Sequence, residues 1–235
     1  MLKAQIVKNR RELEVNVTLE LGPGESLGLF GASGAGKSTV LACIAGIEEP
    51  DDGYVALGDC KFFPPSLPLH RRPVGYLTQE PGLFPHLTVG ENICFGISKR
   101  MANDKEQAAW IETLRDRLQL APLWHAPASL ISGGQARRVS LARMLARKPA
   151  LVLLDEPFAG LDRQLVRELI DDLVSWNQTL GFSMIAVDHQ VEVLKRLCPR
   201  RAIVLEHGKI AQSGTWEEIC GTPATPLLRS LLAPL

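Results

Sequence analysis

The segment Gly31-Ala-Ser-Gly-Ala-Gly-Lys-Ser-Thr39 decides the fold, because it fits the pattern G-x-x-x-x-G-K-[ST] of a phosphate-binding loop. Its glycines let successive backbone N–H groups turn towards an anion, and the following helix adds the positive end of its dipole. Lys37 is suited to the outer phosphates, and the Ser38 hydroxyl to Mg²⁺. The predicted phosphate-binding residues are Gly31, Ala32, Ser33, Gly34, Ala35, Gly36, Lys37, Ser38 and Thr39.

Strand and helix patterns alternate around this loop. A buried strand is predicted at 26–30, directly before the loop, and a helix at 38–45 that stops at Gly46. Further strands are predicted at 13–21, 54–57, 74–78, 150–154, 184–187 and 202–205, helices at 103–120, 135–147 and 163–180, and a proline-rich loop at 62–73. His207-Gly208 predicts a hairpin turn, and Thr215 with Glu218 a capping box for a last helix. The order predicts an α/β protein with a mainly parallel sheet.

The composition excludes several classes of protein. Lys+Arg 26 balances Asp+Glu 26, so no basic excess predicts binding to nucleic acid. No apolar run approaches the roughly 20 residues of a membrane span, and residues 1–7 lack the apolar region of a signal peptide. The five cysteines are scattered without C-x-x-C spacing, which predicts neither a zinc site nor a disulfide framework. We therefore expect a cytosolic protein with reduced thiols.

A pair of acids, Asp155-Glu156, follows the apolar run Leu151-Val-Leu-Leu. A carboxylate at the carboxyl end of a central parallel strand lies beside a phosphate loop. Asp155 is therefore a candidate for the Mg²⁺ shell, and Glu156 for accepting a proton from an attacking water. The alternative is that both acids merely end a strand and face solvent.

A second small turn, Ser132-Gly-Gly134, stands before the predicted helix and is followed by Gln135. Such a turn at a helix N-terminus binds anions. One triphosphate needs only one cradle, so a second predicts that the triphosphate is clamped from two sides, by two subunits. The alternative is an ordinary N-cap.

These motifs together resemble the ATP-hydrolysing subunit of an ABC transporter over nearly the whole chain. The resemblance implies ATP and Mg²⁺ as cofactors, and it implies roles by position. The implied catalytic residues are Glu156 as general base, His189 as the switch histidine, Gln79 of the Q-loop and Lys37; the implied metal ligands are Ser38, Gln79 and Asp155; and Ser132, Gly133, Gly134, Gln135 and Asp162 join the nucleotide-binding set.

Three positions depart from the family pattern. Ile131 replaces the usual Leu, and Asp188 stands where Ser or Thr is more common. No aromatic residue precedes Phe30 to stack on adenine; the candidate region 7–11 offers Arg10 and Arg11, whose guanidinium groups can stack on a base.

The resemblance also implies an organisation and partners. We expect a single ATPase domain over 1–235, with an N-terminal antiparallel β subdomain, a helical subdomain at about 81–147 and no extra C-terminal regulatory domain. We expect a homodimer, bound to integral membrane permease subunits on the cytoplasmic face of the inner membrane and served indirectly by a substrate-binding protein. Leu83, Phe84 and Leu87 either contribute to a groove for a permease helix or pack within the helical insertion.

The segments 71–76 and 79–92 resemble importer subunits and favour an oxyanion such as molybdate or tungstate. Thiamine, iron, polyamine and sulfate remain alternative substrates. A non-transport ABC ATPase and a nucleotide-binding module without turnover remain alternative functions.

Overall fold

The structure is a computed structural model that describes residues 1–10, 13–97 and 104–232. In chain order, its strands are β1 (Leu2–Asn9), β2 (Glu14–Leu21), β3 (Ser26–Phe30), β4 (Asp52–Leu57), β5 (Cys60–Phe63), β6 (Val74–Leu77), β7 (Leu151–Asp155), β8 (Ser183–Val187), β9 (Ala202–Glu206) and β10 (Lys209–Gly214). Its α-helices are α1 (Lys37–Ala45), α2 (Val89–Cys94), α3 (Lys105–Arg117), α4 (Gly133–Leu145), α5 (Arg163–Leu180), α6 (Val191–Leu197), α7 (Trp216–Gly221) and α8 (Pro226–Leu232). Arg11, and Asn103 at the start of the predicted helix 103–120, lie outside the described residues.

The described strands form one sheet in the order β5-β4-β1-β2-β10-β9-β3-β8-β7-β6. The run β9-β3-β8-β7-β6 is parallel, whereas β1, β2, β4 and β5 pair antiparallel at the other end. Helices connect the parallel strands and pack against several of them. This arrangement confirms the predicted α/β class with a mainly parallel sheet.

The central strand β3 is buried on both faces, as its continuous apolar sequence predicts. Leu27 and Leu29 pack with β1, β2 and α1, whereas Phe30 faces the opposite side and packs with α4 and α5 residues. Successive side chains of a strand point to opposite faces, so one short segment joins two cores. The phosphate loop therefore begins at the end of a strand that is packed on both faces.

Some elements differ from the sequence predictions. β1 was not predicted, although Leu2, Ala4 and Ile6 alternate with exposed residues along it. β5 lies partly inside the predicted loop 62–73, because Cys60–Phe63 pairs with β4 despite the prolines that follow. The helix predicted at 135–147 is α4, which begins earlier because Ser132 caps it. The predicted hairpin and capping box are present at 207–208 and at Thr215.

Four loops leave the sheet at the same edge. They follow β3, β6, β7 and β8, which are adjacent and parallel, so their carboxyl ends point in one direction. Open α/β sheets bind ligands at this edge. Among the described residues, no helix has the length and apolarity needed to cross a bilayer.

Candidate functional site

A cavity of about 250 Å³ lies at this edge of the sheet. Most of its lining residues come from the phosphate loop and from the carboxyl ends of β6, β7 and β8 and the loops after them, and one comes from the connection between β1 and β2. They are Leu13, Gly31, Ser33, Gly34, Gly36, Lys37, Ser38, Thr39, Gln79, Glu156, Val187 and His189. Tertiary structure thus brings together most of the residues that sequence analysis assigned to phosphate binding and catalysis.

The phosphate loop leaves the N-terminus of α1 free for an anion. Gly36 precedes the helix in a left-handed conformation, with φ 100°, and no side chain caps the first turn. Gly31 also has a positive φ, and an added Cβ there would lie 2.2 Å from the carbonyl oxygen of Leu205. Both positions therefore require glycine, and the uncapped N-terminus of α1 borders the cavity, where it suits an anion.

The side chain of Lys37 is held over the phosphate loop by carbonyl oxygens of the loop itself. Its ammonium group donates hydrogen bonds of 2.8 Å to the carbonyl oxygens of Gly31 and Ala32. Burial lowers the pKa of Lys37, while the charges of Asp155 and Glu156 act in the opposite direction. The lysine is therefore preorganised within reach of an anion at the loop.

Asp155, at the end of β7, lies behind the cavity. Its carboxylate is 3% exposed, and the Tyr76 hydroxyl donates to Oδ2 at 3.2 Å. Burial raises the pKa of Asp155, although the hydroxyls of Ser38 and Tyr76 favour the ionised form. Oδ1 is buried without a hydrogen-bond partner among the described residues. An orphaned carboxylate oxygen beside a serine hydroxyl fits Mg²⁺, which takes oxygen ligands from one or two side chains and from phosphates.

We expect Asp155→Asn to stabilise the nucleotide-free protein at pH 7 by about 1–2 kcal/mol, because it removes a buried, incompletely paired charge. The same change should abolish the dependence of nucleotide binding on Mg²⁺. Chemical unfolding and nucleotide titrations with Mg²⁺ or EDTA measure the two effects. Asp59→Asn, at an exposed turn, is the matched control. Loss of stability in Asp155→Asn would contradict this account of the site.

Glu156 adopts a backbone conformation that is unusual for its residue type. Its φ is 47°, in the left-handed region, and its N–H donates to the Val187 carbonyl at 2.9 Å. Such strain persists only where the surroundings impose it, and it concentrates at functional sites. The conformation places the Glu156 side chain at the cavity.

Gln79 and His189 approach the cavity from the strands on either side of β7. Gln79 follows β6, and His189 follows β8 with its imidazole 69% exposed. His189 Nδ1 lies 3.5 Å from Oδ1 of the buried Asp188, which also accepts a hydrogen bond from the Gln190 N–H at 2.8 Å. The unusual Asp188 thus places a buried carboxyl group beside the His189 ring, and burial raises the pKa of that carboxyl.

Ser132, Gly133, Gly134, Gln135 and Asp162 do not line the cavity of their own subunit. Ser132 and Gln135 form a capping box at the N-terminus of α4, and Asp162 caps α5 by accepting from the Leu165 N–H at 2.9 Å. Gly134 lies against residues 160–161, since an added Cβ would sit 3.3 Å from the Gly160 carbonyl oxygen. The two segments therefore form one surface outside the cavity.

Neither arginine offered by the sequence for stacking on a base lines the cavity in the described residues. Arg10 forms an ion pair with Glu48 and does not line the cavity, and Arg11 lies outside the described residues. Leu13, which sequence analysis did not single out for the site, lines the cavity instead. Tyr76 was also missed, because nothing in the sequence indicates that a tyrosine of β6 donates to Asp155 of β7.

Comparison with known proteins agrees with this site. The model of the ABC transporter family matches residues 15–159. The sulfate/thiosulfate import ATP-binding protein CysA of Synechococcus elongatus is 37% identical over 222 residues, which are 94% of this chain and 63% of that protein. The molybdate/tungstate import ATP-binding protein WtpC of Thermococcus kodakarensis is 37% identical over 221 residues, which are 94% of this chain and 66% of that protein. A bacterial ABC transporter cassette solved as a dimer aligns with a TM-score of 0.78 at 25% identity and covers 92% of this chain and 98% of that chain.

The chain spans less than two thirds of the length of these two curated relatives. The family match runs from β2 through the phosphate loop and the Ser132 turn to the segment after Asp155-Glu156. Motifs, fold and comparisons agree, and the resemblance predicted from the sequence is confirmed: this chain belongs to the ABC transporter family.

Proposed function

We propose that this chain is an ATP-hydrolysing subunit that powers an ABC importer. The observation that carries the proposal is the cavity in which the phosphate loop, Gln79, Glu156 and His189 meet. The names of the two curated relatives describe import ATP-binding proteins, which supports the same reading.

The phosphate loop would hold the β- and γ-phosphates of ATP through its backbone N–H groups and the dipole of α1. Lys37 would exchange its bonds to Gly31 and Ala32 for bonds to phosphate oxygens. This exchange favours anion binding, because the carbonyl oxygens that hold the free lysine are replaced by charged acceptors.

Asp155, Ser38 and Gln79 would hold Mg²⁺, and the unpaired Oδ1 of Asp155 supports this assignment. The ion, when bound, would neutralise charge on the phosphates. Glu156 would accept the proton of the attacking water, Gln79 would orient that water, and His189 would contact the γ-phosphate with Asp188 fixing its ring. Leu13 would offer an apolar contact to the base.

Two copies would pair head to tail, so that the turn Ser132–Gly134 of one subunit covers the γ-phosphate bound by the other. The placement of this turn outside its own cavity supports the arrangement. Gln135 and Asp162 would lie at the same interface. We propose this homodimer as the form that hydrolyses ATP, and its closure as the step that moves the membrane partner.

A groove of about 320 Å³ lies beside Phe84, Phe95 and Arg143, and a permease helix would dock there. The rings of Phe84 and Phe95 lie 4.2 Å apart, and Phe95 is 60% exposed. Arg143 lies over Phe84 and donates to the carbonyls of Pro81 and Gly82, close in sequence to Gln79. Leu83 instead packs against the core. The chain would thus sit peripherally at the cytoplasmic face of the membrane, as one ATPase domain whose helical subdomain, about 81–147, carries the groove.

We propose an oxyanion such as molybdate or tungstate as the transported substrate, with sulfate as the second candidate. Vesicles containing the chain, the permease subunits and the binding protein encoded beside it should hydrolyse ATP several-fold faster with the cognate oxyanion. Lys37→Ala is the inactive control. Stimulation by thiamine, iron or a polyamine alone would overturn the oxyanion assignment, and equal turnover by Lys37→Ala would overturn the ATPase assignment.

A further inference from the structure

Arg137 is a buried arginine on α4 whose hydrogen bonds go to main-chain carbonyls. Its side chain is 2% exposed, and it forms no ion pair with a carboxylate within the described ranges 1–10, 13–97 and 104–232. Burial lowers its pKa, whereas the charges of Asp155 and Glu156 act in the opposite direction. Burying a cation that has no paired acid costs free energy of folding. The hydrogen bonds of Arg137 must offset that cost, and their positions suggest a role beyond stability.

The carbonyls that Arg137 holds belong to the two segments that carry Gln79 and Glu156. Nε donates to Pro157 at 2.8 Å, and Nη2 donates to Asp155 at 2.7 Å and also to Glu156. Nη1 donates to Gln79 at 3.1 Å and also to Thr78. A planar guanidinium fixes several acceptors in one geometry, which the point charge of a lysine does not. Arg137 therefore holds the strained Glu156 backbone and the Gln79 backbone in one arrangement.

The same helix begins at the Ser132–Gly134 turn. Arg137 stands one helical turn after Gly133, on the same face of α4. A helix moves as a rigid element, so a shift of the turn displaces the guanidinium and the two catalytic segments together.

We infer that Arg137 is a positioning residue that links the nucleotide covered by the Ser132–Gly134 turn, bound to the partner subunit, to Glu156 and Gln79 of its own subunit. The inference rests on the proposed function. When the Ser132–Gly134 turn closes on the ATP of the partner subunit, Arg137 aligns Glu156 and Gln79 for the ATP bound by its own subunit. The two ATP sites are therefore positively cooperative.

Arg137→Lys and Arg137→Met test the inference by ATP titrations of steady-state hydrolysis. We expect the Hill coefficient to fall from about 2 to about 1 and kcat to fall about 10-fold or more, while the affinity of the monomer for a fluorescent ATP analogue stays unchanged. A merely structural arginine would lower the unfolding temperature without changing cooperativity. Arg138→Lys is the matched control, because Arg138 donates to the carbonyls of Leu118 and Gln119, away from the cavity.

The outcomes separate this inference from the proposed function. Hydrolysis by wild type but not by Lys37→Ala, together with a Hill coefficient near 2 in Arg137→Lys, overturns the role of Arg137 alone. Hydrolysis that does not depend on Lys37 overturns the proposed function instead. If Arg137→Met does not fold, Arg137→Lys decides, since it keeps the charge and loses only the planar set of donors.

Discussion

Glu156→Gln is expected to reduce ATP turnover by about 10²–10⁴-fold, because the amide cannot accept a proton from the attacking water. The effect should appear in kcat, while the affinity for ATP stays within a few-fold of wild type. The carbonyl of Glu156 would still accept from Arg137, and its N–H would still donate to Val187, so the strained backbone should be retained.

Single-turnover hydrolysis and equilibrium binding of ATP measure the two effects separately, with permease subunits supplied for the turnover assay. Glu168→Gln is the matched control: Glu168 is exposed on α5, outside the cavity, and accepts a hydrogen bond from Gln164 at 3.2 Å. If Glu156→Gln hydrolyses ATP at the wild-type rate while ATP still binds, Glu156 is not the base.

Gly133→Asp is expected to abolish ATP-driven pairing of subunits without unfolding either one. An added Cβ at Gly133 meets no atom within 4 Å, and the residue does not have a positive φ. A carboxylate in the first turn of α4 even suits the helix dipole. In the proposed dimer, however, it would face the γ-phosphate of the partner's ATP and repel it.

The measurement is the molar mass of the Glu156→Gln protein with and without ATP, by light scattering after size exclusion. We expect Glu156→Gln to become a dimer with ATP, and Glu156→Gln with Gly133→Asp to remain a monomer. Gly221→Asp, at an exposed glycine at the end of α7 that also has open space, is the control. ATP-dependent dimers that tolerate Gly133→Asp would rule out the proposed role of this turn.

Local sequence was sufficient for much of the fold. α5 has the predicted bounds, Arg163–Leu180, because its apolar stripe and its cap Asp162 are all within one segment. β5 was missed because a short strand owes its stability to partners elsewhere: Cys60–Phe63 is a strand only where it meets β4. β1 was missed although buried and exposed side chains alternate locally along Leu2–Ile6.

The candidate site likewise contains some residues that the sequence predicts and others that only the structure reveals. The glycines of the phosphate loop, Lys37 and the Asp155-Glu156 pair form patterns that are recognisable within a few residues. Arg137 was not predicted to belong to the site, since an arginine that donates to carbonyls of two distant segments leaves no periodicity in the sequence. Leu13 was read as a strand residue, because only folding brings it to the cavity.

The sequence by itself predicted most of the strands and helices in their order, the two glycine-rich turns and the acid pair at the end of β7. Tertiary structure decided that β3 lies between β8 and β9, that four loops meet at one edge, and that the Ser132–Gly134 turn lies outside its own cavity. The physical reason is the distance along the chain over which each interaction acts. Backbone conformation and helix capping depend on neighbours along the chain, whereas strand order and the pairing of buried charges depend on residues that only folding brings together.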